Sequence, residues 1–473
     1  MTTIADALRR LAEAAPDRPA ITEVPIGSSA GRTVRTRLEL EERTNRLARS
    51  LIELGVVEGS LVTVGLPNGI DFVETALAIW KCGATPQPIS HRLPEREREA
   101  IIELAEPSFV VTAPIEVTCS DSTPLVPDRV APAMKAPTSG GSTGRPKLIV
   151  SGEPALVDPE ARPPFRASRH GTQLVPGPLY HNAPFVYATT GLLAGNHLVV
   201  MTHFDAATAL RLIDEHGVDW VLLVPTMMSR MLKARDAVDP APSLDSLNGI
   251  LHLGAPCPPW VKEAWIEWIG GERVWELYSG TEAQRFTYIR GDEWMAHRGS
   301  VGRPDPGTMR ILADDGSLAP TSTVGEIWML APARPSYQYI GAEARTDGGW
   351  ESLGDLGSID EDGYLYIADR RDDLILSGGA NVYPAEVEAA LEEHPAVRSC
   401  AVVPLPDPDL GQRVHAVVNA DEEATGEELA AFVGERIARY KVPRSFEFVD
   451  EPVRDDAGKV RRRALVAEPR TAP

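Results

Sequence analysis

Between residues 138 and 148 the chain reads TSGGSTGRPKL: Gly140, Gly141 and Gly144 are interleaved with Thr138, Ser139, Ser142 and Thr143, and Lys147 follows Pro146. Glycines let successive backbone N–H groups converge, and hydroxyls and an ammonium add donors and positive field. That combination suits a polyphosphate. The string is not a P-loop, because Pro146 precedes the lysine and Leu148, not Ser or Thr, follows it. A glycine-rich run standing alone also reads as a surface loop, so the phosphate reading needs support from elsewhere in the chain. Other residues with chemical potential have plain local readings too. Thr281 and Glu282 in YSGTE can be capping residues at a strand end, and Asp355 in GDLG can be a turn aspartate. Lys459 in GKVRRRAL can be one charge in a basic stretch. His181 in YHNAP is one of ten histidines, none at metal-ligand spacing. Asp355, Asp360 and Asp362 lack the spacing and closing glutamate of an EF-hand, and no GxSxG elbow occurs.

Taken in order, however, these strings form a set. SGGSTGRPK (139–147), PLYHNAPF (178–185), VPTMMSRML (224–232), LHLGAPCPPW (251–260), YSGTE (278–282), SLGDLG (352–357), DRRDDLILSGGANVYPAEVE (369–388) and GKVRRRAL (458–465) run along nearly the whole chain. The set resembles the motifs of adenylate-forming enzymes: acyl-CoA synthetases, aryl-CoA ligases, luciferases and peptide-synthetase adenylation domains. The bile-acid and fatty-acid CoA ligase branch is closest in flavour. One string would say little; eight in order are specific.

The resemblance implies an ATP-dependent ligase that makes an acyl-adenylate from a carboxylic acid, releases pyrophosphate and passes the acyl group to coenzyme A, with Mg²⁺ on the ATP phosphates. It assigns the phosphates to Ser139, Gly140, Gly141, Ser142, Thr143, Gly144 and Lys147. Adenine falls to Tyr278 beside Gly254, Ala255 and Pro256, and the ribose hydroxyls to Asp355 assisted by Arg370. Thr281 would contact the α-phosphate and Glu282 would hold the metal, an oxygen ligand suited to a hard cation. Lys459 would bridge the attacking carboxylate and the phosphate, where like charges converge in the transition state. His181 would gate the passage between acid pocket and thiol channel. Ser377, Gly378 and Gly379 would line the pantetheine channel. Lys459 and the SGGAN loop (377–381) cannot serve one active site at once, so the small domain would turn between half-reactions about Asp372. Tyr187, Leu253 and Arg285 are the candidate acid-pocket residues. Arg285 and Phe286 stand where small residues are expected in the bile-acid branch, which keeps open a ligase-like diazotase of secondary metabolism that adenylates nitrite and couples it to an aryl amine. A non-catalytic nucleotide-binding protein is the third reading, opposed by the presence of Glu282, Asp355, Arg370 and Lys459 together.

The elements that must position these residues are legible in outline. At 473 residues the chain predicts more than one domain. Helical spacing in LELEERTNRLARSLIELG, DFVETALAIWKCG, HFDAATALRLIDEHG and PPWVKEAWIEWIGG alternates with short apolar runs such as SLVTVGL, VDWVLLVP and RVWELYSG. That alternation predicts an α/β architecture with largely parallel sheets. From about residue 300 short strands and turns take over, as in GEIWML and GYLYIA, with a DEDG turn placed between them; the resemblance makes this a small barrel-like β part. From residue 372 to the C-terminus the order helix, strand, strand, helix, strand predicts a small α+β domain, mobile by resemblance, leaving 1–371 as the large one. The joint falls in ADRRDD (368–373).

Composition narrows the partners. With 47 basic and 68 acidic residues the formal charge is −21, which opposes nucleic acid or an anionic membrane as main partner. Cys82, Cys119, Cys257 and Cys400 are scattered and read as free thiols of a reducing compartment. The N-terminus carries Ile4, Leu8 and Leu11 on one helical face instead of a signal-peptide core, and no apolar run is long enough to span a bilayer. A cytoplasmic enzyme of small molecules is the expectation. Oligomeric state is left open, a homodimer included.

Overall fold

The computed structural model describes residues 1–140, 146–421, 423–455 and 458–467. Its centre is an eight-stranded sheet whose strands lie in the order 286–290, 274–279, 249–252, 220–223, 172–175, 197–201, 19–24 and 33–36. The six inner strands pair in parallel, and one antiparallel strand closes each edge. A second, three-stranded parallel sheet joins 85–88, 61–64 and 109–111. This is the α/β pattern that the alternation predicts. Inner strands such as Trp220–Leu223 and Gly249–His252 are buried at every position, as befits a parallel sheet covered on both faces.

Local chemistry sets the helix ends. Thr36 and Glu39 form a reciprocal capping box at the start of the Arg37–Glu53 helix. Proline opens the Pro225–Ala234, Pro259–Ile269 and Pro384–Glu392 helices, where its missing N–H costs nothing. The N-terminal helix, Ile4–Ala14, buries Ile4, Ala7, Leu8 and Ala12.

Between residues 300 and 370 the strands pair antiparallel. A six-stranded sheet contains Gly325–Leu330, Asp355–Ile359 and Leu365–Arg370, and a three-stranded sheet joins Tyr337–Ile340, Pro146–Ser151 and Thr138–Gly140. The DEDG turn links 355–359 to 365–370, with Gly363 at φ +83°; the GEIWML strand pairs with 355–359 instead.

From residue 375 a five-stranded sheet, flanked by helices Pro384–Glu392 and Gly426–Gly434, encloses a core of its own that includes Ile375, Val387, Leu391, Val402, Val418 and Leu429. Two details differ from the sequence reading. The run TGEELAAFVGERIARY (425–440) reads as one helix, but it is helical only over Gly426–Gly434, and Arg439–Lys441 forms a separate 3-10 turn. SGGAN is a β-hairpin: Ser377 pairs with Ala380 across Gly378 (φ +59°) and Gly379 (φ +80°). Positive φ at both central residues is the two-residue turn for which Gly-Gly is suited. Among the described residues no helix is long and apolar enough to cross a membrane, and the four cysteines are free.

Candidate active site

Register alone brings one group of predicted residues together. Asp355 opens the 355–359 strand and Arg370 closes the 365–370 strand, and the two are direct cross-strand partners. Arg370 Nε lies 3.2 Å from Asp355 Oδ1, and Tyr278 Oη donates to Asp355 Oδ2 at 2.7 Å. The carboxylate is buried while the arginine head stays largely open to solvent. The Tyr278 phenol is pushed well up by burial, then by the Asp355 charge, so it remains a neutral donor. Asp355 thus offers a fixed acceptor with a cation beside it, which suits vicinal hydroxyls. Gly254, at φ +89°, turns the chain at the end of the 249–252 strand and leads into Ala255 and Pro256.

A second group gathers around Glu282. Its buried carboxylate receives Lys147 Nζ at 3.3 Å and a short hydrogen bond from Tyr339 Oη. Lys147 also sits 4.0 Å above the Tyr339 ring. Strand register again explains the meeting: Lys147 pairs with Ser139, and Tyr339 with Ile149 of the same strand. Lys135 Nζ makes a short hydrogen bond to Asn182 Oδ1, and burial drives its ammonium down to about 8 against the pull of Glu282. Gly141, Ser142, Thr143 and Gly144 lie outside the described residues. No group of three or more His, Cys, Asp or Glu side chains that could hold a metal occurs among the described residues. The protein therefore offers one carboxylate, and a hard cation held mostly by phosphate and water oxygens fits that donor.

The third group comes from the small domain. An isolated bridge between Arg454 and Val460 closes a hairpin that carries Lys459, whose backbone N–H donates to Asp455 Oδ1 at 2.8 Å. Lys459 is exposed by surface area, with charged groups of both domains around it. Desolvation there lowers its pKa, with Asp455, Arg370 and Glu282 as the charges that face it. His181 precedes the Asn182–Leu193 helix as its N-cap, and its Nε2 lies 4.0 Å from Asp455 Oδ2. Burial first, then Lys459, lowers the imidazole to about 3, so it is neutral at ordinary pH. Its Nε2 is buried without a hydrogen bond. Gly458, at φ +73°, passes so close to the large domain that a Cβ there would stand 2.8 Å from Thr226 Oγ1. Lys233 Nζ donating to the Val397 carbonyl (2.9 Å) and Arg461 with Glu97 (3.0 Å) also join the two parts.

The other small-domain feature is bonded within its own domain. Ser377 pairs with Gly411, and Gly378 donates to the Leu410 carbonyl at 3.0 Å, both within the small domain. Asp372 lies exposed in a 3-10 turn between two anchors. Arg371 before it reaches Asp314 (3.2 Å) and Glu326 (3.4 Å), while Asp373 after it meets Arg462 (3.2 Å).

Of the acid-pocket candidates, Tyr187 and Leu253 lie in one apolar cluster with Phe165, Ala183, Trp220, Leu222, Leu251 and Trp275. Arg285 does not join it. Its Nε donates to the Leu330 carbonyl oxygen at 2.8 Å, tying the side chain to the antiparallel sheet. Sequence reasoning missed Tyr339, Lys135, Asp455, Phe165 and Trp275. A lone lysine in the apolar AMKAP stretch was a readable signal for Lys135; the others acquire their meaning only from long-range register.

Residues 8–139 and 132–333 match the family described as AMP-binding enzyme, and residues 386–459 match its C-terminal domain. The chain is 31% identical, over 98% of its length and 98% of the relative's, to a 2-succinylbenzoate–CoA ligase of Geobacillus kaustophilus. It is 30% identical, over 91% and 93%, to a feruloyl-CoA synthase of an Amycolatopsis species. An o-succinylbenzoate coenzyme A synthetase from Bacillus subtilis, solved with ATP and magnesium ion, superposes with a TM-score of 0.78 at 25% identity, covering 97% of this chain and 98% of that one.

Proposed function

The chain belongs to the AMP-binding enzyme family, and from that premise we propose that it is an acid–thiol ligase. It uses ATP to convert a carboxylic acid into an acyl-adenylate, releases pyrophosphate, and transfers the acyl group to coenzyme A. The observation that carries the reading is the meeting of two domains at one site: Asp455, which accepts the Lys459 backbone N–H at 2.8 Å, lies 4.0 Å from His181 Nε2 of the large domain, where Lys147 engages the buried Glu282 carboxylate at 3.3 Å.

In this reading Asp355 accepts the ribose hydroxyls, and Tyr278 packs against adenine beside Gly254, Ala255 and Pro256. Lys147, with the loop from Ser139 through Gly144, receives the phosphates. Glu282 would hold Mg²⁺ together with triphosphate oxygens, which offsets the phosphate charge. Thr281 lies next to Glu282 and contacts the α-phosphate. The acid's carboxylate oxygen attacks the α-phosphorus, and the bond to the pyrophosphate oxygen breaks. Negative charge accumulates between the two anions at that moment, and Lys459 is the cation placed to meet it. Neutral His181 adds no competing positive charge and yields to an incoming thiol. The domain boundary falls at 371/372, and rotation about Asp372 withdraws Lys459 and presents Ser377, Gly378 and Gly379 to the pantetheine arm.

Pyrophosphate release from MgATP, followed across a panel of acids and then with coenzyme A, tests the reading. Acid-dependent pyrophosphate followed by thioester supports it. Release that depends on nitrite and an aryl amine, with no thioester from any acid, would overturn it.

A further inference from the structure

Resting on that reading, we propose that the acid is an aryl carboxylate about the length of a phenylpropenoate, with its ring held among Phe165, Tyr187 and Trp275 and a hydrogen-bonding substituent at its far edge. Three adjacent strands turn large side chains to one face of the central sheet: Trp220 and Leu222, Leu251 and Leu253, Trp275 and Leu277. Opposite them the helix that starts at His181 contributes Ala183 and Tyr187. A loop folds over the end, with Phe165 at φ +52°, Arg166 at φ +60°, and the Phe165 carbonyl accepting Trp220 Nε1 at 3.0 Å. Backbone at positive φ in two successive non-glycine residues is costly, and here it seats Phe165 over the cluster.

The rings pack together as one half-buried aromatic surface. Phe165 lies 5.7 Å from Trp275, 5.8 Å from Tyr288 and 6.5 Å from Tyr187, with interplanar angles of 61°, 74° and 59°. Tyr187 lies 5.5 Å from Trp220. The solvent-facing side of such a surface can meet another aromatic ring, which gains from edge-to-face contact in a way that an alkyl chain does not. Phe165, Ala183, Tyr187, Leu253, Trp275 and Leu277 are half-buried, so this surface is reached from solvent.

Length and polarity narrow the class. From His181 to Tyr187 is six helical residues, about 9 Å of wall at 1.5 Å per residue. A carboxylate held near His181 and Lys459 therefore has room for a short linker before its ring reaches Tyr187. Two residues of the cluster carry polar atoms. Trp275 Nε1, a donor only, is buried without a partner, and the Tyr187 hydroxyl stays protonated because burial raises it to about 12. Both suit an oxygen substituent on the ring. Arg285 Nε is committed to the Leu330 carbonyl oxygen at 2.8 Å. Phe286 and Tyr288, 57% and 50% exposed, continue the aromatic surface to the outside, so the far edge can carry a substituent.

The test is pyrophosphate release and thioester formation by the full-length enzyme with benzoate, cinnamate, 4-hydroxycinnamate, octanoate, malonate and nitrite. The expected kcat/KM for 4-hydroxycinnamate exceeds that for octanoate by about 100-fold. Tyr187→Phe should lower the preference for 4-hydroxycinnamate over cinnamate by about fivefold while leaving the KM of ATP unchanged. Preference for octanoate, malonate or nitrite overturns the aryl assignment and leaves the ligase reading intact. An unchanged 4-hydroxycinnamate-to-cinnamate ratio in Tyr187→Phe overturns the substituent contact. A folded enzyme that binds MgATP calorimetrically but releases pyrophosphate with no acid in the panel overturns the ligase reading and this inference together.

Discussion

Lys459 stands apart from the other active-site residues because it arrives from a different domain, and its chemistry follows from the charges it faces. Removing it should act on one half-reaction. Lys459→Ala is expected to slow adenylate formation by roughly 3 kcal/mol of lost transition-state stabilisation, about 100-fold or more. Thioester formation from a chemically prepared acyl-adenylate should be largely spared; equal loss in both assays would refute the assignment. The sign of the pH effect follows from desolvation. In the role proposed for it the protonated amine is the active form, and its pKa lies below the ordinary lysine value of 10.5. Activity should therefore fall, as pH rises, earlier than an ordinary lysine would allow. That alkaline limb in kcat/KM should move up or vanish in Lys459→Arg, and a limb that stays put belongs to another group. Asp355 makes a contrasting case. Its partners Tyr278 and Arg370 hold it for the nucleotide, so Asp355→Asn should raise the KM of ATP by about 10-fold, the worth of a charge-assisted hydrogen bond. The KM of the acid should change little, and a matching rise there would contradict a ribose role.

Among the elements, the 3-10 turn at 371–373 has the arrangement a pivot needs. One neighbour of Asp372 is fastened to the antiparallel sheet of the large part and the other to Arg462 of the small domain. Proline at 372 fixes φ near −65° and should hold one orientation. Asp372→Pro is expected to retain adenylate formation and to slow acyl transfer at least tenfold; equal slowing of both in a folded protein would place the pivot elsewhere. Elements with strong local signals were legible in the sequence. The helices from Arg37 and Pro259 have caps or an opening proline, and strands such as Trp220–Leu223 are short apolar runs with clear turn residues. The SGGAN hairpin was misread as a loop because three-residue strands carry almost no periodicity, although its Gly-Gly pair was the signal for a tight turn. Asp355 and Arg370 were readable singly from their motifs, but their contact comes from cross-strand register, which a linear pattern does not encode. Arg285 is a different case. Its position in the sequence suggested the acid pocket, and the fold adds a bond from its Nε to the Leu330 carbonyl that no linear pattern announces.

At the scale of the whole molecule, the contacts that join the two parts are light. Arg461 and Glu97 are both solvent-exposed, a kind of pair worth about 0–1 kcal/mol, and Lys233 reaches a single carbonyl. Weak fastening is what a domain that must let go requires. Against that looseness, one point of the closed arrangement has no slack at all. Gly458 carries the hairpin past Thr226 with no room for a methyl group, in a backbone conformation that other residues resist. Gly458→Ala should therefore leave folding and acyl transfer from preformed adenylate near normal while lowering adenylate formation at least tenfold, and normal pyrophosphate release by this variant would show that the hairpin has another way in. For the domain turn proposed above, Gly458 is the clearance in a keyway. The lysine's reach is fixed by its own length, but whether the key enters depends on a single missing carbon atom one residue earlier.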